Sequence, residues 1–201
     1  MIKNIIFDFG DVFINLDKQA PFRELKAYDI LELSEADHAV LIEYEVGNIS
    51  TEKVLGHFSK SYPLQINQFK SIWNSMLLDF PAHRMDWLKV LAGSKDYRLF
   101  LLSNTNDMHI SWIKENWGSE LYHAFKSCFE QFYLSHEIQL RKPNHDIYEF
   151  VLSENQLKAE ETFFIDDTKA NTDAAEKLGI RTWNIDPNSE DITQLKSKLP
   201  L

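Results

Sequence analysis

The chain has 201 residues, of which 44% are hydrophobic and 26% are charged, a composition that excludes a disordered chain and is typical of a folded domain with a real core. Its net charge is -10 and no run is rich in Lys and Arg, so neither nucleic acid nor an anionic membrane surface is expected as a partner. Its single cysteine, Cys128, excludes an intramolecular disulfide, and no apolar stretch reaches the roughly 18 residues that a membrane span requires. We therefore expect a cytoplasmic protein, and the composition leaves its oligomeric state open.

The first predicted element is a strand at residues 5–9, IIFDF, whose apolar run is broken by Asp8. A buried carboxylate costs free energy unless a cation or hydrogen-bond donors meet it, so Asp8 needs a partner from another part of the chain. Residues 16–81 then show several helical patterns in succession and no convincing strand. We expect residues 16–81 to form a helical insertion, and residues 1–15 and 82–201 to form the main domain.

The rest of the chain alternates between predicted strands and predicted helices. This alternation indicates parallel βαβ units with helices on both faces of a sheet. The expected fold class is therefore α/β, a doubly wound, mainly parallel, Rossmann-like sheet with a small all-helical segment inserted after the first strand. The later strands are predicted at residues 98–102, 131–134, 162–165 and 180–185, and helices at residues 107–117, 144–152 and 171–178, the last closed by Gly179.

Polar side chains follow four of the predicted strands at the point where each strand ends. Because the carboxyl ends of parallel strands meet at one edge of a sheet, where ligands bind, we expect these side chains to converge. Carboxylates that arrive from separate strands repel each other unless a cation lies between them, and oxygen-only ligands of this kind suit Mg²⁺. The residues concerned are Asp8, Ser103, Asn104, Ser135, Asp166 and Asp167.

The loop sequence Arg141-Lys142-Pro143 adds a cation to this edge of the sheet. Lys142 supplies a point charge suited to neutralising a phosphoryl group. The Ser103 hydroxyl and the backbone N–H groups of Asn104 and Thr105 are further candidate donors. We therefore expect a small phosphorylated molecule as the ligand.

In these motifs the chain resembles the haloacid dehalogenase superfamily, a large group dominated by phosphatases. The matching segments, in chain order, are IIFDFGD, LFLLSNTN, RKP, and FFIDDTKAN followed by AAEKLGI. Each motif is weak alone, but four in this order at this spacing form a strong signal. They most resemble the small-cap branch that contains α-D-glucose-1-phosphate phosphatases.

The resemblance implies a Mg²⁺-dependent phosphatase acting on a small phosphorylated metabolite, with a sugar 1-phosphate as one candidate. Carried over by motif, Asp8 is the nucleophile that forms an aspartyl-phosphate and is also a metal ligand. Asp167 is a metal ligand, and Asp166 is either an alternative ligand or a residue that contacts the ligands without binding the ion. Ser103, Asn104 and Lys142 bind the phosphoryl group, and Lys142 also orients Asp8. The helical insertion corresponds to a cap that closes over the site.

Position 10 departs from the superfamily pattern. The usual first motif carries a second aspartate two residues after the nucleophile, which protonates the leaving group and later activates water. Here that residue is Gly10, which retains the backbone carbonyl that serves as a metal ligand but lacks the acid–base side chain. The adjacent Asp11 is our hypothesis for a substitute, although a turn residue beside a glycine is its simpler interpretation.

Simpler interpretations also exist for the other residues, and other functions stay open. Asp166 and Asp167 are also suited to capping the following helix, and Lys142 alone predicts only a solvated surface charge. A metal-independent 2-haloacid dehalogenase uses the same aspartate and also lacks the second one. A phosphate-binding protein with little or no turnover is the third possibility, because Gly10 replaces the acid. The Asp166-Asp167 pair favours a metal, and hence phosphate.

Overall fold

The computed structural model describes residues 1–200, and its centre is a parallel sheet of five strands in the order β3-β2-β1-β4-β5. Both neighbours of the first strand run parallel to it, with Phe7 opposite Leu101 on one side and Ile165 on the other. The predicted mainly parallel α/β sheet is confirmed. The strands are β1 (Asn4–Phe7), β2 (Arg98–Ser103), β3 (Gln131–Leu134), β4 (Thr162–Asp166) and β5 (Arg181–Asn184).

The chain between β1 and β2 is helical, as predicted. Its helices are α1 (Ala20–Leu25), α2 (Glu35–Glu45), α3 (Thr51–Ser61), α4 (Ile66–Asn74) and α5 (Ala82–Ser94). The first four enclose an apolar cluster that includes Val54, Phe58 and Phe69 and is joined by Met108, a residue that follows β2. The segments that join these four helices to the sheet lie side by side, since Leu16 and Leu77 form an antiparallel bridge.

The remaining helices cover the two faces of the sheet. They are α6 (Asp107–Trp117), α7 (Ser119–Lys126), α8 (Ser135–Ile138), α9 (His145–Glu154), α10 (Lys169–Glu176) and α11 (Leu195–Lys198). Alternate residues of β1 point into different apolar clusters: Ile5 and Phe7 into one, and Ile6 into the other. This is the two-faced burial that a doubly wound sheet requires.

Helix α10 starts and ends two residues earlier than the predicted range 171–178. It ends in a Schellman motif, in which Ile180 N–H donates to the Ala175 carbonyl and Gly179 N–H donates to the Glu176 carbonyl. Gly179 has φ +82°, so the predicted glycine terminator is confirmed. Across residues 1–200, none of the helices combines the length and the apolar character that crossing a bilayer demands.

Candidate active site

Three carboxylates meet at the carboxyl edge of the sheet. Asp8 directly follows β1, Asp166 ends β4, and Asp167 is the next residue. These two strands are neighbours in the sheet, and one oxygen from each of the three side chains lies within 4.8 Å of the others. We call Asp8, Asp166 and Asp167 the acidic cluster. Its donors are all carboxylate oxygens, a set that fits a hard divalent cation such as Mg²⁺.

Lys142 lies inside the acidic cluster and is 1% exposed. Its Nζ donates to Asp8 Oδ1 at 2.7 Å, to Asp166 Oδ2 at 2.6 Å and to the Leu102 carbonyl at 2.8 Å. All three ammonium protons are therefore satisfied, which a buried lysine requires. Burial by itself lowers the pKa of Lys142, but the carboxylates of Asp166 and Asp8 raise it, so the side chain stays charged.

Asn104 positions the backbone of Lys142 rather than presenting its amide to the cavity. Its Oδ1 accepts the Lys142 N–H at 2.9 Å, and its Nδ2 donates to the Lys142 carbonyl at 2.9 Å. Both ends of its side-chain amide are thus used to hold the loop. This contact joins the end of β2 to the lysine loop and fixes where Nζ enters the cluster.

The two adjacent aspartates have different surroundings. Asp166 is fully buried, and its oxygens accept hydrogen bonds from Lys142 Nζ, Asn171 Nδ2 and Thr168 N–H. Asp167 is more exposed, and its Oδ2 pairs with Lys18 Nζ at 2.5 Å. Asp167 therefore has more oxygen capacity for a ligand than Asp166, and Asn171 fixes the position of the Asp166 carboxylate.

Asp8 is 9% exposed and lines the cavity in front of the sheet. Burial raises the pKa of Asp8 to about 7, against the opposing effect of the Lys142 ammonium. A cation held between the carboxylates lowers that pKa again. Only Asp8 Oδ1 accepts a hydrogen bond within residues 1–200, so the second oxygen is available to a ligand.

The cavity has a volume of about 500 Å³ and is bounded by both parts of the molecule. The sheet side contributes Ser103, which is 3% exposed, together with Asp8, Asp167 and Lys142, while the fully buried Asp166 lies behind them. Thr105 does not offer the free N–H that the sequence suggested, because this group donates to Ser135 Oγ at 2.9 Å. The helical side contributes Trp73, and a charged pair formed by Glu45 and Arg141 lies in the same lining.

His109 also lines the cavity, between the helical insertion and the sheet. Its ring stacks on Trp73 at 5.4 Å and 15°, and its Nε2 lies 3.3 Å from the Trp73 carbonyl. A carbonyl only accepts, so Nε2 carries the proton and Nδ1 accepts from Asn106 Nδ2 at 3.2 Å. Burial lowers the pKa of His109 to about 4, and the imidazole is neutral with both nitrogens engaged.

Comparison with known proteins places this geometry in a family. A family model described as haloacid dehalogenase-like hydrolase matches residues 5–185. The chain belongs to this family. The match runs from β1 to the residue after β5, so it includes the acidic cluster, Lys142 and the whole helical insertion.

Three relatives of this family match nearly the whole chain. A D-ribitol-5-phosphate phosphatase of Bacteroides thetaiotaomicron is 28% identical over 194 residues, covering 91% of each chain. A haloacid dehalogenase family enzyme of the same species, solved as a magnesium complex, has a TM-score of 0.84 at 31% identity, covering 97% of this chain and 98% of that one. A family hydrolase of Porphyromonas gingivalis has a TM-score of 0.83 at 30% identity, covering 98% and 97%. A variant of the second protein was solved with magnesium and inorganic phosphate.

Gly10 is the point at which this family member departs from the superfamily pattern noted above. The residue lines the cavity, and a Cβ built on it would lie 2.6 Å from Leu16 Cδ1. The Leu16 side chain thus fills the space into which a side chain at position 10 would grow. An aspartate there would require the end of the flexible Leu16 side chain to move.

Asp11 has φ +56° and its carboxylate is directed to its own turn. Oδ1 accepts the Leu16 N–H at 3.0 Å, and Oδ2 pairs with Lys18 Nζ at 2.9 Å. Lys18 also pairs with Asp167 and lines the cavity, whereas Asp11 is not among the lining residues. Lys18 therefore connects Asp11 to the acidic cluster.

Several lining residues were missed by sequence reasoning, which gave no role to Lys18, Glu45 or His109. Glu45 and Lys18 both lie in the helical insertion, residues 16–81, where no motif marks them. Arg141 was quoted within the RKP motif without a role of its own. Trp73, in the helical insertion, also lines the cavity.

Proposed function

We propose that this family hydrolase is a Mg²⁺-dependent phosphatase that removes phosphate from a small metabolite through an aspartyl-phosphate on Asp8. The observation that carries the proposal is the placement of Lys142 Nζ between Asp8 and Asp166, beside Asp167, at the floor of a cavity. This end of the cavity combines a nucleophilic oxygen of Asp8, the fixed ammonium of Lys142 and carboxylate ligands for a metal ion. Phosphoryl transfer needs these three elements, because its barrier is lowered mainly by positioning and charge.

The metal in this proposal is held by Asp8, Asp167 and the carbonyl of Gly10. Asp166 is an alternative ligand whose oxygens are already engaged by Lys142 and Asn171. When bound, the ion supplies positive charge that lets an anionic phosphate approach anionic side chains. The oxygen-only donor set and the magnesium complexes of the relative support this assignment.

The bond changes then follow from the residues of the chain. The unbonded oxygen of Asp8 attacks phosphorus, and the bond between phosphorus and the leaving-group oxygen breaks. The Ser103 hydroxyl donates to a phosphoryl oxygen, and the Lys142 ammonium, whose three protons are already engaged, acts through its positive charge as negative charge moves onto the leaving group. Water then attacks the acyl phosphate, which releases inorganic phosphate and restores the Asp8 carboxylate.

We propose that the helical insertion, residues 16–81, is the cap of this enzyme, and that residues 1–15 and 82–201 are its catalytic core. The four helices of the insertion have their own apolar cluster, and their side chains form one wall of the cavity. A wall of this kind excludes water and contacts the leaving group.

Asp11 is the residue we propose for the acid–base role that Gly10 lacks. What supports this proposal is the pairing of Asp11 with Lys18, which lines the cavity, so any effect of Asp11 on the leaving group acts through Lys18. Because this route is indirect, proton transfer is weaker than with an aspartate at position 10. A phosphate-binding protein with little turnover is the alternative that the glycine favours.

The test is phosphate release by purified protein with Mg²⁺ from a panel that includes D-ribitol 5-phosphate, α-D-glucose 1-phosphate and p-nitrophenyl phosphate. Turnover is expected to require Mg²⁺ and to fall by on the order of a thousandfold or more in Asp8→Asn. Binding of Mg²⁺ and phosphate without turnover of any compound would identify a binding protein instead. Halide release from chloroacetate without metal would identify a dehalogenase.

A further inference from the structure

We propose that Glu45 and Arg141 form a hydroxyl-recognition site, which makes the substrate the phosphate ester of a polyhydroxy compound. The proposal rests on the phosphatase function above and assigns the part of the cavity that the chemistry does not use. Within residues 1–200, six charged side chains line the cavity. Four of them form ion pairs at its sheet end, Asp8 with Lys142 and Asp167 with Lys18. The remaining two are Glu45 and Arg141.

The hydrogen bonding of this pair is only partly used. Arg141 Nε donates to Glu45 Oε1 at 2.8 Å, and the two side chains are 28% and 29% exposed. Within residues 1–200, the two terminal nitrogens of Arg141 and the Oε2 of Glu45 make no hydrogen bond. The pair therefore presents several N–H donors and a carboxylate acceptor side by side on the cavity wall.

Both residues are held in place by the backbone around them. Glu45 is the last residue of α2, and its carbonyl accepts the Ser135 hydroxyl at 2.6 Å. Gly47, two residues later, packs closely against α8, since a Cβ built on it would lie 2.1 Å from the His136 carbonyl oxygen. Arg141 directly precedes Lys142, whose backbone Asn104 clamps. The pair is thus set at a constant position relative to the phosphoryl-binding lysine.

The charge of the pair decides which ligand it suits. A lone arginine at this position would attract a second phosphate, but Glu45 offsets its charge. A neutral group that both donates and accepts hydrogen bonds gains from both partners, and neighbouring hydroxyls have this property. Trp73 lines the same cavity, and its Nε1 is buried without a hydrogen-bond partner in the described residues.

The experiment compares kcat/KM for D-ribitol 5-phosphate, p-nitrophenyl phosphate and a sugar bisphosphate in wild type, Glu45→Gln, Arg141→Gln and Arg141→Lys. We expect each Gln variant to lose about tenfold or more on the ribitol ester relative to its loss on the nitrophenyl ester, which carries no hydroxyl. In the wild type, kcat/KM should be higher for D-ribitol 5-phosphate than for the sugar bisphosphate. The ratio of these two values should be smaller in Glu45→Gln. Arg141→Lys should recover only part of the loss, since it keeps the charge without the planar fork.

The matched control is Glu43→Gln, the same change on an exposed residue of α2 that bonds Asn48 and does not line this cavity. Circular dichroism and thermal unfolding establish that each variant is folded. Equal losses on the ribitol and nitrophenyl esters, or no loss on either, would overturn the recognition site while the phosphatase function stands. Absence of phosphate release from every ester in the wild type would remove the phosphatase function and the recognition site with it.

Discussion

Two groups of charged residues meet at one cavity: the acidic cluster with Lys142, and the Glu45–Arg141 pair. They differ in how far their charges are buried and hydrogen-bonded. Lys142 is 1% exposed and satisfied by three acceptors, whereas Arg141 is 28% exposed in its side chain and uses a single N–H. Charges in the first group are preorganised by burial. Those in the second keep hydrogen-bonding groups free within residues 1–200. On the proposed function, the groups that act on the phosphate are therefore rigid, and small changes at the Glu45–Arg141 pair alter which leaving group is preferred.

The difference also predicts how much each group contributes to folding. A buried ion pair is costly to form, and breaking it by removing one partner leaves an uncompensated buried charge. A half-exposed pair is weak, because water screens it and both side chains lose rotamer freedom. Mutations in the acidic cluster should thus affect stability as well as activity, and mutations in the Glu45–Arg141 pair should affect activity almost alone.

The largest effect is expected for Lys142→Met, which should destabilise the protein by about 3–5 kcal/mol at neutral pH. The change leaves Asp8 and Asp166 facing each other without a counter-ion, and one of them must take up a proton. Urea denaturation followed by circular dichroism measures this loss. Part of the lost stability should return as the pH falls, because protonation relieves the repulsion.

The matched control is Lys169→Met, which removes an exposed pair with Asp173 in α10. It should change the stability by no more than about 0.5 kcal/mol. If the two substitutions proved equally mild, the contrast between buried and exposed charges would be wrong.

A second, smaller effect is expected from His109, which lines the same cavity. Its pKa in the folded protein is lowered to about 4 from the ordinary value of 6.5, so its imidazole binds more protons in the unfolded chain between these pH values. The contribution of His109 to stability should therefore decrease by on the order of 2–3 kcal/mol as the pH falls from 7 to 4.

The variant His109→Phe keeps a ring to stack on Trp73 but does not titrate. The stability difference between wild type and variant, measured from pH 7 to pH 4, isolates the histidine from the other titrating groups. We expect the wild type to lose stability relative to the variant as the pH falls, because only the wild type carries the imidazole. A difference in stability that does not change with pH would show that the imidazole is not held neutral.

The smallest effect is expected for Asp11→Asn, which weakens the link through Lys18 to the leaving group. We expect kcat to fall by about tenfold for D-ribitol 5-phosphate, whose alkoxide needs a proton, and by much less for p-nitrophenyl phosphate. Steady-state kinetics on the two esters measure the ratio. An equal response for both esters would remove Asp11 from proton transfer.

Much of the fold was predictable because its signals are local. The five strands are short apolar runs bounded by turn residues, and each occurs within two residues of its predicted position. β1 ends at Phe7 rather than at residue 9, because its pairing with Leu101 and Ile165 stops there. Asp8 therefore lies just beyond the paired strand, where its side chain reaches the cavity.

Gly179 shows why such predictions succeed. Its positive φ serves the end of α10, a few residues away in the chain, and needs no tertiary contact. The convergence of Asp8, Asp166 and Asp167 was likewise predictable, since parallel strands bring their carboxyl ends to one edge.

What the sequence alone determined is the repeating strand–helix order and the polar residues that end the strands, since both depend on periodicity and local turn chemistry. Tertiary structure alone decided the pairings that no motif marks: Glu45 meets Arg141 across 96 residues, and Lys18 meets Asp167 across 149. It also assigned the Thr105 N–H to Ser135 and placed Leu16 against Gly10. The physical reason is that hydrogen bonds, steric contact and Coulomb forces act over a few ångströms of space, and separation along the chain does not reveal which side chains folding brings that close.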